Sequence, residues 1–141
     1  MPKDFEQLSI KPGFIKHNGG LLFRKISKNE YEFKAQINKN HLNMAGITHG
    51  GYIASIIDAG AGTAAHRSTD KQPCVTISLD VKFMKSTILG DEINGFVKIQ
   101  KITKSMVFLI CHLECKKNLI ATASGIWKIL KKPLSNAELG D

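Results

Sequence analysis

One long run of mainly small and apolar residues restricts the fold of this chain more than any other feature. Between about Gly51 and Arg67 the sequence contains no proline and no polar alternation, which favours a helix of about four or five turns. This segment is the only long helix that the sequence predicts, and a single carboxylate, Asp58, interrupts it. Because no run reaches the roughly 18–20 charge-free apolar residues of a membrane span, we expect no transmembrane segment.

The period of the apolar residues changes to two after this helix. VTISLDVKFM, from residue 75, predicts a half-buried strand, and EINGFVKIQKI, SMVFLICHLECK and LIATASGIWKIL predict three more. The short turns TK and KN between the last three indicate antiparallel neighbours. In VTISLDVKFM, one face is predicted to carry Val75, Ile77, Leu79, Val81 and Phe83, and the other Thr76, Ser78, Asp80 and Lys82.

The order of the predicted elements indicates the fold class. LLFRKISKNEYEFKAQI supplies two short strands around the turn SKNE before the helix, and four strands follow it. This order is typical of an α+β layer in which a curved antiparallel sheet wraps around one long central helix. A chain of 141 residues suffices for one core. We therefore predict a single domain over residues 20–132, an N-terminal segment 1–19 with room for a short helix, and a flexible tail over residues 133–141.

Charge and cysteine content restrict the class of function. The net charge of +8 comes almost entirely from lysines, and an aromatic content of 7% offers little for base stacking, so we expect a phosphorylated small molecule rather than nucleic acid as partner. A general bias toward lysine accounts for the charge equally well. The N-terminus lacks the apolar region of a secretory signal, which predicts a cytoplasmic protein. In CHLEC, Cys111 and Cys115 would share one strand face and His112 the other, so no metal site is expected.

Asp58 is the residue of the helix whose chemistry stands out. A buried carboxylate is usually paired, hydrogen-bonded or shifted in pKa, because its charge is costly to remove from water. Two hypotheses follow: Asp58 holds the helix in place through a lysine or a hydroxyl, or it is a general base or nucleophile made reactive by its surroundings. A helical wheel places Asp58 on one face with Gly51, Ala54, Ser55, Ala61, Gly62 and Ala65, opposite Tyr52, Ile53, Ile56, Gly60 and Thr63.

The THGG stretch at residues 48–51 supplies a second reactive element. The first N–H groups of a helix have no partner inside it, and together with the helix dipole they attract an oxygen that carries negative charge. Gly50 and Gly51 lack Cβ atoms, so a reacting carbonyl can approach closely. Asp58 lies roughly 12 Å from Gly50 along the helix axis, too far to serve the same carbon. If both act together, the acid comes from a second copy, which predicts a two-fold homodimer with sites at its interface and leaves a dimer of dimers open.

HLNMAGITHGGYIASIIDAG resembles the signature of the PaaI-like acyl-CoA thioesterases of the hotdog-fold superfamily, and the resemblance extends from about Asn43 to Leu130. It implies a hotdog fold and hydrolysis of acyl-CoA thioesters, with no cofactor because coenzyme A is part of the substrate. It also implies that the backbone N–H of Gly50 polarises the thioester carbonyl with help from Asn43. Asp58 of the other subunit would then activate water or attack directly.

The same resemblance implies roles for residues around this pair. A hydroxyl that stands seven positions before Phe83 falls at Thr76, where it would help to hold the water. His49 would order the loop, with a role as catalytic base left open, and Asn43 is equally typical of a turn. Substrate contacts are predicted for Gly51, Phe83 and Lys85. For the CoA phosphates the sequence does not choose among Lys82, Lys85, Lys104 and Lys128.

Three other interpretations compete with hydrolysis. Gly60, Gly62 and Ala65, with Asp80 further on, match a GxGxxA dinucleotide fingerprint, but no helix follows the glycines as a βαβ unit requires. A hydroxyacyl-thioester dehydratase would share the architecture but uses a catalytic His in a different sequence setting. A protein that binds acyl-CoA without hydrolysing it would need Asp58 to be structural. The acyl group stays open, with aryl, medium-chain and long-chain thioesters all compatible with the sequence.

Overall fold

The computed structural model describes residues 4–132, which form seven strands and two helices. The strands are β1 (Glu6–Leu8), β2 (Leu21–Ser27), β3 (Glu30–Gln36), β4 (Cys74–Phe83), β5 (Glu92–Ile102), β6 (Met106–Cys115) and β7 (Asn118–Ile129). The helices are α1 (Phe14–His17) and α2 (Gly50–Ser68), and a single 3-10 turn covers Lys39–His41. All strands join one antiparallel sheet in the order β1-β2-β3-β5-β6-β7-β4.

The sheet curves around α2, which confirms the predicted fold class. The helix packs against every strand from β2 to β7, and its ends lie within one residue of the predicted bounds. The two strands predicted before the helix and the four predicted after it are all present. A curved antiparallel sheet around one long central helix is the hotdog architecture.

The core fills the space between the inner face of the sheet and α2. Ile53, Ile56 and Ile57 are at most 6% exposed, and three alanines further along the helix are fully buried: Ala61, Ala64 and Ala65. The predicted placement of Ala61 and Ala65 on the open face beside Asp58 is therefore wrong. The sheet encloses the C-terminal half of the helix on more sides than a one-sided wheel assumes.

Glycines make room in this core for the ring of Phe33. Phe33 is fully buried in β3, and a Cβ on Gly60 of α2 would lie 2.3 Å from the ring. A Cβ on Gly95 of the neighbouring strand β5 would lie 2.2 Å from the same ring. Either side chain would overpack the core, at a typical cost of about 1–3 kcal/mol. Glycine at these two positions therefore lets the helix and the sheet approach each other around Phe33.

Strand β4 departs from the predicted alternation at one residue. Thr76 pairs with Trp127 of β7, and Ser78 pairs with the adjacent Ile126. Ile77 is therefore an extra residue without a partner, which makes it the centre of a β-bulge. Its side chain is 50% exposed, although the alternation predicted that it would lie on the apolar face.

The bulge exchanges the two faces of β4 at the N-terminal end of the strand. After the bulge, Leu79 and Val81 lie against the core as predicted. Before the bulge, the even-numbered Cys74 lies against the core instead of the odd-numbered residues. Thr76 therefore shares the inner face, whereas Val75 pairs with the exposed Lys128 on the outer face. The predicted faces of Thr76 and Val75 are wrong, because one extra residue in a strand exchanges the side chains of the two faces beyond it.

The N-terminal segment contributes a short strand to the edge of the sheet. β1 pairs with β2, with Leu8 opposite Leu21, and α1 is the short helix for which the sequence left room. The Glu6 carboxylate forms an ion pair with Arg67 near the end of α2. The tail predicted for residues 133–141 lies outside the described residues. Within the part of the chain that is described, no helix combines the length and the apolar character needed to cross a membrane.

The CHLEC stretch lies on β6 with the alternation that the sequence predicts. Cys111 and Cys115 are buried on the inner face, whereas His112 lies on the outer face and forms a hydrogen bond of 2.9 Å with Glu114. Burial raises the pKa of the Cys111 thiol to about 12. These side chains do not converge, and residues 4–132 contain no group of three potential metal ligands.

Candidate active site

The N-terminus of α2 presents one unpaired backbone N–H group. His49 is the N-cap residue, and its Nδ1 accepts a hydrogen bond of 2.8 Å from the N–H of Gly51. Its carbonyl oxygen accepts hydrogen bonds from the N–H groups of Tyr52 and Ile53. Among the described residues no acceptor remains for the N–H of Gly50, which is directed beyond the helix terminus.

Buried contacts hold the loop that leads into this helix terminus. The N–H of His49 donates to the carbonyl of His41 at 2.7 Å, and the N–H of Thr48 donates to the carbonyl of Thr87 at 2.9 Å. His41 is 2% exposed and stacks on Tyr52, with ring centroids 3.6 Å apart. Burial raises the pKa of Tyr52 to about 12, so this ring is a neutral partner for the stack. The direction of the Gly50 N–H is therefore set by contacts on both sides of the loop.

Asn43 forms the turn that its sequence allows, and its predicted role beside Gly50 stays a prediction. Its Oδ1 accepts hydrogen bonds from the N–H of Ala45 at 2.9 Å and of Ile47 at 3.3 Å, which forms a turn. No described residue accepts a hydrogen bond from its Nδ2 amide. The turn thus fixes the side chain and leaves a donor for a ligand.

A cavity of about 360 Å³ opens at the free N–H of Gly50, and we call it the Gly50 cavity. The ring of Phe83 forms one wall and would lie 3.5 Å from a Cβ placed on Gly50. Of the predicted site residues, this cavity brings together Asn43, Gly50, Phe83 and Lys85. Gly51 does not line it, and its N–H is already bonded to His49.

Asp58 and Thr76 are in contact at a second site, away from the Gly50 cavity. The Thr76 hydroxyl donates a hydrogen bond of 2.7 Å to Oδ1 of Asp58. This contact exists because the bulge at Ile77 turns Thr76 toward α2. The bond satisfies one carboxylate oxygen and leaves the other open to a ligand. A hydroxyl partner of this kind is compatible with both hypotheses for Asp58, the structural one and the catalytic one.

A cavity of about 720 Å³ surrounds this pair, and we call it the Asp58 cavity. Asp58 is exposed in the single chain, so a ligand or a second chain is needed to withdraw its carboxylate from water. The wall formed by α2 carries Ala59, Gly62 and Thr63 beyond the acid. The predicted position of Thr63 on the side opposite Asp58 is wrong, because the open strip of α2 follows residues 58, 59, 62, 63 and 66, which lie on one side of the helix.

The two cavities have no lining residue in common. The helix separates Gly50 from Asp58 by roughly 12 Å along its axis. One chain therefore does not bring the free N–H and the acid to the same carbon. The roles predicted for Asp58, Gly50, Asn43, His49 and Thr76 remain predictions.

Sequence reasoning missed one residue of the Asp58 cavity. Trp127 lines it from β7, opposite Thr76, although it lies 69 positions after the acid and no role was predicted for it. Its position follows from strand pairing, which the sequence does not specify by any local signal. A third cavity, of about 550 Å³, lies where the outer face carries Lys82, Phe96 and Ile110, and it contains none of the predicted catalytic residues.

The curved sheet and its central helix place the chain in the class of hotdog-fold proteins. Its candidate site consists of the free N–H at the helix terminus and the acid about two turns further on. The chain belongs to the thioesterase superfamily, whose family model matches residues 45–121. The resemblance to thioesterases that the motif predicts is thereby confirmed at the level of the superfamily.

Individual proteins agree with this assignment. A protein of Pseudomonas aeruginosa named as a candidate esterase is 26% identical over 130 residues, which cover 92% of this chain and 97% of that protein. The crystal structure of zebra fish thioesterase superfamily member 2 has a TM-score of 0.78 at 20% identity, over 86% of this chain and 89% of its own. A hypothetical thioesterase of Streptococcus pneumoniae, crystallised with coenzyme A, has a TM-score of 0.73 at 14% identity, over 81% of this chain and 88% of its own.

Proposed function

We propose that this protein hydrolyses acyl-CoA thioesters to a free acid and coenzyme A. The observation that carries the proposal is the N–H of Gly50, which is free at a helix N-terminus and opens into a cavity. Such a donor stabilises the negative charge that develops on a thioester oxygen when a nucleophile attacks, because the helix dipole and the N–H both favour an anion there. The Nδ2 amide of Asn43 supplies a second donor at the same cavity.

Asp58 is the general base in this mechanism. Its free carboxylate oxygen takes a proton from a water molecule, the water oxygen attacks the thioester carbon, and the carbonyl oxygen becomes the oxyanion. When the intermediate collapses, the carbon–sulfur bond breaks and the protonated acid returns its proton to the thiolate of coenzyme A. The 2.7 Å bond from Thr76 holds the carboxylate in one orientation through both steps.

Each site is completed by a second copy of the chain. The Gly50 cavity of one subunit and the Asp58 cavity of its partner would form one site, because the two groups are separated within a chain and act on the same carbon. A two-fold homodimer with antiparallel copies of α2 makes two equivalent sites of this kind. Dimerisation would also cover the Asp58 carboxylate, which is exposed in the single chain.

Coenzyme A is proposed as the leaving group for two reasons. A structural neighbour of the same fold was crystallised with coenzyme A, and Lys85 lies at the Gly50 cavity where it would meet a phosphate. The net charge of +8 favours an anionic substrate of this size. No cofactor is required for this chemistry. The buried free thiols of Cys111 and Cys115 fit a reducing, cytoplasmic location.

The central test compares Asp58→Asn with Asp80→Asn. Both remove one carboxylate charge from an exposed aspartate, but Asp80 is bonded to Lys82 on the outer face of β4. We expect Asp58→Asn to lose at least about 10²-fold in kcat for acyl-CoA hydrolysis, and Asp80→Asn to keep wild-type activity. The assay follows release of the CoA thiol with a chromogenic reagent over a panel of aryl and aliphatic acyl-CoAs.

The same comparison separates the alternatives. Equal activity in the two variants would remove Asp58 from the mechanism. A wild-type protein that binds acyl-CoA tightly in a calorimeter but hydrolyses none of the panel would instead be an acyl-CoA-binding protein. Loss of folding in Asp58→Asn, measured by circular dichroism, would favour the structural hypothesis for the acid.

A further inference from the structure

The indole of Trp127 is the least expected component of the Asp58 cavity. Its side chain is 2% exposed, and glycines border it on two sides. A Cβ on Gly125 of β7 would lie 2.4 Å from the six-membered part of the ring. On α2 the nearest atom to a Cβ placed on Gly62 would be the indole nitrogen Nε1, at 3.3 Å. The missing side chain of Gly62 therefore leaves space next to the indole nitrogen.

This N–H group is a donor without an acceptor among the described residues. An indole nitrogen is a donor only, and in a buried tryptophan it usually has a partner. Nε1 of Trp127 is not among the fully buried polar atoms, so it is accessible from the cavity. Polar side chains next to the indole are engaged: Thr63 donates to the carbonyl of Ala59 at 2.8 Å, and His66 Nδ1 donates to the carbonyl of Gln72 at 2.8 Å. The Thr76 hydroxyl is bonded to Asp58. The indole N–H is thus an uncommitted donor on the wall that also carries the acid, and the hydroxyl of Ser9 is a second one at the rim of the cavity.

We propose that Trp127 Nε1–H binds an oxygen atom of the acyl group, and that the protein is selective for acyl-CoAs whose acyl chain carries a hydroxyl or keto oxygen. The inference rests on the proposed function, since it takes the acyl group to lie in the Asp58 cavity. Gly62 follows Asp58 by one helical turn, roughly 6 Å along the axis. The acceptor oxygen therefore lies a few bonds beyond the thioester carbon.

The charge of the cavity selects the kind of oxygen. Asp58 lies one turn from the opening, so a second carboxylate on the acyl chain would be repelled by a like charge. A neutral oxygen accepts the indole hydrogen bond without this penalty. An acyl group without oxygen would cover the N–H and leave it unpaired, which disfavours its binding. Selectivity for the oxygenated acyl group thus has two causes: the hydrogen bond that it accepts, and the unpaired N–H that a plain acyl group leaves behind.

The single tryptophan of the chain gives a direct readout, because the protein has only one indole N–H signal in a proton–nitrogen correlation spectrum. The probes are non-hydrolysable thioether analogues of hexanoyl-CoA, either unsubstituted or with a hydroxyl or keto group at successive carbons. We expect one oxygenated analogue to move the indole proton downfield and to bind on the order of tenfold more tightly than the plain analogue, equal to about 1.4 kcal/mol. An indole signal that responds equally to plain and oxygenated analogues that both bind would overturn the proposal.

Two variants test the same contact by kinetics. Gly62→Ala places a methyl group over Nε1 and keeps the tryptophan, whereas Trp127→Phe removes the N–H and keeps an aromatic ring. In both, the ratio of kcat/KM between the preferred oxygenated substrate and its plain counterpart should fall toward one, while Asp80→Asn keeps the wild-type ratio. The added Cβ lies 3.3 Å from Nε1, so urea unfolding must first show that Gly62→Ala is folded. An unchanged ratio in that folded variant would refute the role of the indole.

The binding and kinetic arms fail in different ways. An oxygen-specific indole shift in a protein that hydrolyses no thioester would support the binding site and refute the proposed hydrolysis. Hydrolysis without any preference for oxygenated acyl groups would leave the enzyme in place and overturn this inference. An indole proton that is already shifted downfield in the unliganded protein, and that no analogue moves, would mean that a protein acceptor occupies it, which also overturns the inference.

Discussion

Gly50→Pro removes the backbone N–H at the centre of the proposed mechanism without removing the helix. Gly50 is the first residue of α2 after the N-cap His49, the position at which proline is favoured in helices. The residue before a proline must be extended, and His49 already is, with φ −65° and ψ 132°. The N–H that proline lacks is the one that bonds no described residue. The change therefore deletes one donor and disturbs no hydrogen bond of the described fold.

We expect Gly50→Pro to lower kcat without lowering stability. Loss of one oxyanion donor typically lowers kcat by about 10²–10³, equal to about 2.7–4 kcal/mol in the activation free energy. Stability should not fall, since a proline in a compatible conformation stabilises by about 0.4–1 kcal/mol through the unfolded chain. The new Cβ would lie 3.5 Å from the ring of Phe83, an ordinary contact. We therefore expect a protein at least as stable as wild type that is nearly inactive.

Gly50→Ala is the matched control for this change. It adds the same Cβ next to Phe83 but keeps the N–H, so the difference in kcat between Pro and Ala at this position reports the replacement of the N–H by the proline ring carbons Cγ and Cδ. Thiol release from acyl-CoA measures activity, and urea unfolding measures stability. If Gly50→Pro and Gly50→Ala have equal kcat values in folded protein, the N–H of Gly50 does not stabilise the oxyanion.

Mixed dimers then test whether the site is shared. When Gly50→Pro is co-assembled with Asp58→Asn, one of the two sites in a mixed dimer receives an intact Gly50 from one chain and an intact Asp58 from the other. Such a dimer should recover roughly half of the wild-type kcat, whereas each parent stays inactive. Purified mixed dimers with no more activity than their parents would contradict the shared-site proposal.

Three further predictions concern residues around the site and the core. Thr76→Val keeps the side-chain shape but removes the donor to Asp58, and kcat should fall roughly tenfold or more, as for one hydrogen bond to a charged group. Gly60→Ala forces a Cβ to 2.3 Å from the ring of Phe33 and should lower the free energy of unfolding in urea by about 1–3 kcal/mol. Burial raises the pKa of Cys111 to about 12, so its thiol stays protonated in the folded protein. Iodoacetamide should label it only on unfolding, and the stability it contributes should fall as the pH rises past its ordinary thiol pKa toward about 12.

The main elements of the fold were predictable because their patterns are local. An unbroken run without proline predicted α2, and period-two alternation with short turns predicted the strands that follow, within one residue at most ends. The burial of Ala61 and Ala65 was not predictable from a wheel, because it depends on how far the sheet curves around the helix. That curvature arises from strand twist and tertiary packing, which no single segment encodes.

The candidate site was predictable to the extent that its residues are close in sequence. The spacing of Gly50 and Asp58 along one helix predicted that they are apart, and the structure has them in separate cavities. The side on which Thr76 lies was predicted wrongly, since a bulge has no clear signature in an alternating strand. Trp127 was missed because only the pairing of β4 with β7 brings it next to the acid.

The bulge at Ile77 also determines what a one-residue deletion in β4 would do in a related sequence. Deletion of that one residue would restore regular pairing and turn residues 74–76 over as a block, because strand side chains alternate with a period of two. Val75 would then face α2, and the hydroxyl of Thr76 would lie on the outer face although Thr76 itself is unchanged. A gap at this position in a related sequence therefore carries as much information about the acid and its hydroxyl as a substitution of either residue.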